Sequence, residues 1–234
     1  MIKHAIALVS LMSVLAGQAA AADLAAVPYA AATAAAPWTG FHVGVVAGGG
    51  RGTANHDYPT LPLIGTSGDF GQTGWIGGAT AGYEWQFGTF VVGVEGDLSA
   101  ANIDGNTSNG FCAGTPCRTK ITWLHTGRAR VGVALGDVMP YVTGGVAVAG
   151  LKSWNKFNPT NSEPNAIWSG VVGGGVEWSF LPNWSAKAEY LFVPSFTTAT
   201  STDLPDAKVN ERNVSLVRFG VNYHLGDAPL RARY

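Results

Sequence analysis

"WIGGATAGYEWQF", residues 75–87, decides the fold class. Its odd positions are apolar or small: Trp75, Gly77, Ala79, Ala81, Tyr83, Trp85 and Phe87. Its even positions, Ile76, Gly78, Thr80, Gly82, Glu84 and Gln86, turn polar toward the end. Successive side chains of an extended chain point to opposite faces, so this alternation is that of a β-strand with two unlike sides. One side meets a greasy medium, either a protein core or a lipid bilayer.

Composition favours the bilayer. Only 12% of the 234 residues are charged while 47% are hydrophobic. Charge so sparse is unusual on a soluble surface. The formal net charge of −1 gives no basis for a nucleic-acid partner. The N-terminus has the build of a secretory signal: Lys3 and His4, then "AIALVSLMSVLAG", then the small residues of "QAAAAD". Cleavage is expected near Ala21 or Ala22, making 1–22 the signal peptide. No other stretch rivals it as a continuous apolar segment, so no transmembrane helix is expected. Residues 23–36, "DLAAVPYAAATAAA", read as an Ala-rich lead-in punctuated by Pro28. The barrel domain is then 37–234.

Eight alternating segments follow, at 38–50, 73–87, 89–102, 119–135, 138–154, 166–181, 184–196 and 212–225. The gaps between them sort strictly. Long gaps at about 51–72, 103–118, 155–165 and 197–211 alternate with tight ones at "FGT" (87–89), "LGDV" (135–138) and "LPN" (181–183). A transmembrane β-barrel has this pattern, with four long external loops and three short periplasmic turns. In lipid every backbone polar group must be paired within the protein, and a closed sheet leaves no edge. The expected fold is therefore all-β, a closed eight-stranded antiparallel transmembrane barrel of the outer-membrane type.

Tryptophan placement agrees. All eight (Trp38, Trp75, Trp85, Trp123, Trp154, Trp168, Trp178 and Trp184) fall near a segment end, where their rings suit the headgroup level. The odd face of residues 75–87 is thus the lipid face. The same registration elsewhere sends Val92, Val94, Leu98, Ala129, Val131 and Val133 outward. It sends Glu84, Glu95, Asp97, Arg128, Arg130, Glu177, Lys187, Glu189 and Arg218 inward, with Asn222 and His224. Inward glycines such as Gly44, Gly78, Gly82, Gly93 and Gly173 leave room for these large neighbours. Five acids against four bases are close to balance. They read either as a salt-bridged plug or as an ion pathway, and the narrow interior of eight strands favours the plug.

Other candidate chemistry is thin. His42 and His125 sit near opposite ends of their segments without a nucleophile motif such as G-x-S-x-G, and read as interfacial or structural histidines. His56 and Asp57 are too few to hold a metal and read as solvated loop residues. No enzyme activity, cofactor or metal is expected. "FCAGTPC" (111–117) places Cys112 and Cys117 in one external loop, where an oxidising compartment favours a disulfide that stiffens the loop tip. A short ring restricts the unfolded chain only modestly.

"AADLAAVPY", "WTGFHVGVVAGGG", "GGATAGYEWQFGTFVVGVEGD", "GRARVGVALGDVMPYVTGGVAVA" and "VSLVRFGVNYHLG" resemble the small outer-membrane immunogenic proteins of Gram-negative bacteria. These are porin-like eight-stranded barrels similar to the membrane domain of OmpA. The resemblance spans about 38–225. It implies an envelope-stabilising surface antigen, with outer-membrane lipid and the barrel insertion machinery as partners. A host or haemin ligand at the external loops is a further implied partner; His56, Tyr58, Phe111 and Phe157 are the loop side chains that hint at one. The C-terminus departs from the pattern. The last segment closes at Phe219, Val221, Tyr223 and Leu225, and "GDAPLRARY" follows, so either that set or Tyr234 supplies the terminal aromatic.

Overall fold

Antiparallel pairing runs from each long strand to the next and returns from the last to the first, so the sheet closes on itself. The structure is a computed structural model that describes residues 38–57, 65–114, 116–154, 165–196, 199–200 and 208–225. Its long strands are β1 (Gly40–Asp57), β2 (Phe70–Phe87), β3 (Phe90–Thr107), β4 (Cys117–Val133), β5 (Val138–Trp154), β6 (Asn165–Leu181), β7 (Trp184–Val193) and β9 (Lys208–His224). A two-residue strand, β8 (Ala199–Thr200), adds to β9. Eight long strands close the barrel, as the loop alternation requires. The expected signal (1–22), the lead-in (23–36) and the residues after Leu225 lie outside the described residues.

Two of the three hairpins at the short-turn end are tight because glycine supplies the backbone they need. Gly88, between β2 and β3, has φ +64°, and Gly136, between β4 and β5, has φ +68°, in the left-handed region that a Cβ disfavours.

Outward faces carry an unbroken apolar band that includes Val45, Val94, Leu98, Val131, Val146, Val172, Val217 and Phe219. Trp75 and Trp85 bracket it on β2 and both are exposed. Ten residues apart, at ~3.3 Å per residue and ~40° tilt, they stand about 25 Å apart along the membrane normal, the height of a bilayer-facing band. The periplasmic girdle is dense: Phe41 packs on Tyr83 and Tyr83 on Trp85, each with ring centroids 4.6 Å apart, and Trp184 on Tyr223 at 5.1 Å.

Two expectations are corrected here. The strands run well into the gaps, since β1 reaches Asp57, β2 starts at Phe70, β3 reaches Thr107 and β9 starts at Lys208. Above Trp75 the outer face meets water, so the apolar alternation that marks a strand stops while backbone pairing continues. The exposed pairs Arg118–Asp104 and Arg212–Asp69 occupy that outer wall. Trp38, expected at the lipid rim, is instead fully buried. It packs with Val91, Ala134 and Met139 and lies 5.9 Å from the His224 ring, across the periplasmic mouth.

Inward glycines are forced by the neighbouring strand. A Cβ on Gly78 would lie 2.2 Å from the Leu98 carbonyl oxygen, whereas one on lipid-facing Gly77 meets nothing closer than 3.6 Å. Gly78→Val should therefore lower stability by about 1–3 kcal/mol or prevent folding, and Gly77→Val should be tolerated. Urea unfolding in lipid vesicles, followed by tryptophan fluorescence, distinguishes the two.

Candidate functional site

Inward-facing side chains form two layers inside the barrel. All nine charged residues placed inward by registration face the lumen, and none is more than 4% exposed. Arg128 reaches three carboxylates: Glu95 and Glu189 at 2.5 Å each, and Asp97 at 3.3 Å. Arg130 reaches Glu177 at 2.7 Å, Glu84 at 3.1 Å and Glu95 at 3.3 Å, with its guanidinium 3.9 Å from the Tyr141 ring centroid. Lys187 pairs with Glu95 at 2.5 Å, and Arg218 joins Glu189 at 2.7 Å and Asp97 at 3.2 Å. Residues from β2, β3, β4, β6, β7 and β9 thus meet in one network across the lumen.

Hydroxyl and amide donors complete it. Thr126 donates to Asp97, Ser185 and Asn222 donate to Glu177, and Tyr141 donates to Glu189. Burying charge costs several kcal/mol per ion unless opposite charges and hydrogen bonds surround it. Here nearly every carboxylate meets more than one donor. Glu84 is the exception: Arg130 approaches it, but no group hydrogen-bonds either of its oxygens.

Toward the external side the lumen turns apolar. Ile76, Ile103, Ile121, Leu124, Leu151, Ile167, Leu191, Val193, Val214 and Leu216 are buried in one cluster above the charges. Each of these strands continues its own inward face: Arg128 gives way to Leu124, Glu189 to Leu191, Arg218 to Leu216. A β-bulge between Ile121 and Trp123 keeps β4 in phase with β5.

Of the two readings for His42, interfacial or structural, the second holds: it points into the lumen, with Nε2 3.3 Å from Glu95. His56 is not a solvated loop residue; it is fully buried on β1, 2.9 Å from Thr119 and stacked on Phe70. His125 lies half-buried against Trp123, its Nδ1 accepting from the Ser99 amide at 3.2 Å. Tyr58, Phe157 and the Phe111 side chain lie outside the described residues. Even parity on β1 could have placed His42 inside, since Gly44 and Val46 share its face.

Ser185, His224 and Glu177 lie together, with Ser185 Oγ 3.0 Å from His224 Nε2. Glu177 approaches the same Nε2, at 3.6 Å, and also accepts from Ser185 at 2.5 Å. An acid that orients a catalytic imidazole binds its other nitrogen, so this cluster has the connectivity of a structural hydrogen-bond set.

Cys112 and Cys117 form a disulfide, Cα–Cα 5.4 Å, across the β3–β4 connection.

Comparison with known proteins fits this geometry. The model of the outer membrane protein beta-barrel domain family matches residues 7–225. The chain belongs to that family. A 31 kDa outer-membrane immunogenic protein of Brucella melitensis is 30% identical over 236 residues, covering 92% of this chain and 97% of the relative. A 22 kDa outer membrane protein of Rhizobium leguminosarum bv. viciae is 30% identical over 162 residues, covering 68% of this chain and 64% of the relative. Among solved structures, Neisserial surface protein A covers 80% of this chain and 98% of its own, at 15% identity and TM-score 0.46. The protein is an outer-membrane β-barrel.

Removing one cation from the network strands its partners. Arg130→Ala leaves Glu84 with no ion pair among the described residues and Glu177 without its guanidinium, and should cost about 3–5 kcal/mol. Equilibrium unfolding in vesicles measures the loss.

Proposed function

We propose that this barrel is a surface antigen with an envelope-stabilising role, and that its lumen is closed to ions. What supports closure is the stacking of two unlike layers. A network of paired carboxylates and cations fills the periplasmic half, and an apolar cluster lies above it. Ions crossing would have to break the first and dehydrate through the second. The small diameter of eight strands points the same way, because side chains alone can fill it.

The antigen role rests on the relatives, which are named outer-membrane immunogenic proteins. In this reading the external loops, with the Cys112–Cys117 staple, are the face presented outside the cell. Residues 1–22 direct export and are removed, 23–36 is the lead-in, and insertion machinery delivers the chain to the membrane. The reading is of a non-enzymatic protein: Ser185 and Glu177 approach the same nitrogen of His224, the connectivity of a hydrogen-bond set and not of a nucleophile–base–acid relay.

Planar-bilayer recording of the purified monomer tests closure. The expected trace has no sustained step of porin size. Stable porin-sized conductance from the unmutated monomer refutes the plug and favours a small porin.

A further inference from the structure

Beneath the charge network, at the periplasmic end of the lumen, three side chains from three strands converge. His42 comes from β1, Glu84 from β2 and His224 from β9. They are buried, and one potential ligand atom from each lies within 4.8 Å of the others. We propose that they form a binding site for a single borderline transition-metal cation, with zinc as the natural occupant.

Four observations point to this. Glu84 is fully enclosed, yet neither of its oxygens receives a hydrogen bond, and Arg130 at 3.1 Å is its one ion pair among the described residues. His42 Nδ1 is likewise buried without a hydrogen-bond partner. Each imidazole has a carboxylate beside one nitrogen, Glu95 at 3.3 Å for His42 and Glu177 at 3.6 Å for His224. Such carboxylate–histidine pairs orient imidazoles that bind metal. Finally, with neutral imidazoles the buried lumen charges among the described residues are five carboxylates, Glu84, Glu95, Asp97, Glu177 and Glu189, against four cations, Arg128, Arg130, Lys187 and Arg218.

The donor set selects the ion. Two nitrogens and one carboxylate oxygen suit zinc and its neighbours better than magnesium or calcium, which take oxygen donors. Ligands of a tetrahedral zinc stand roughly 3.4 Å apart at bonds of ~2.1 Å, so the three groups need close by little more than an ångström through side-chain rotation. A water fills the fourth position. Gly82 makes the space, since a Cβ there would lie 2.6 Å from the His42 ring. Trp38 covers the mouth below, so the ion enters during folding or from the periplasmic side. The site lies below the apolar cluster and does not depend on whether the lumen conducts.

The test uses the untagged full-length barrel, refolded in detergent with and without zinc chloride and dialysed, with bound metal measured by mass spectrometry. Cobalt(II) substitution reports the ligands through its visible absorption. The expected result is one zinc per chain, a four-coordinate cobalt spectrum, and loss of both in His42→Gln/His224→Gln. His125→Gln, on the outer face, should bind as the unmutated protein does. Heat-modifiable gel mobility checks that each variant folds. Should the double variant misfold, Glu84→Gln serves in its place and should also lose the metal. A protein that retains no stoichiometric zinc, or folded variants that bind as much as the unmutated chain, overturns the site and leaves a proton as the balancing charge.

Discussion

A charge in the narrow lumen of a small barrel has little water to solvate it, and everything inside this molecule follows from that constraint. Nine charged side chains sit almost wholly out of solvent, each of which would cost several kcal/mol alone. They are tolerable because the sheet closes on itself and brings residues distant in sequence to one level. Arg128 and Glu189, 61 residues apart, touch only because β4 and β7 face each other across the lumen. Closure satisfies the backbone and creates the electrostatic layer in a single step.

The layers have different work. The charged one is specific, since each guanidinium reaches two or three carboxylates, and a slip of one residue in any strand would turn its charges toward lipid. The apolar one is less particular about partners but excludes water, which strengthens the ion pairs beneath it. Glycines make both possible. The backbones of β4 and β5 fit together only with glycine at 145, since a Cβ there would lie 2.1 Å from the Gly127 carbonyl oxygen and 2.7 Å from the Arg128 Cα. Outside, the same strands carry an apolar band and aromatic girdles, so each strand serves two solvents through period-two alternation.

Much of this was legible in the sequence, because alternation and charge are local properties. Strict period two in residues 75–87 identified the lipid face, and carrying that parity along the chain placed all nine charged residues inside. Other features depended on what alternation does not carry. The strand extensions 51–57 and 103–107 were hidden because a wall standing in water has no apolar outer face to mark it. Trp38 was assigned to the rim from its position near a segment end, but it precedes β1 and folds across the mouth. The switch from charged to apolar inward residues was present in Glu95 and Asp97 before Ala101 and Ile103, and again in Arg218 after Leu216. It becomes meaningful only when the strands are laid side by side. The convergence of His42, Glu84 and His224 depends on the β1–β9 closure, which no single stretch encodes.

A double-mutant cycle on Arg128 and Glu189, unfolded at equilibrium in lipid vesicles, measures the self-compensating lumen most directly. If the network holds the barrel together, each single alanine variant is strongly destabilised and the pair couples by about 2 kcal/mol or more, the second removal costing far less than the first. If the two effects simply add to within about 0.5 kcal/mol, the charges are hydrated independently, and the lumen is an aqueous channel rather than a packed ionic core.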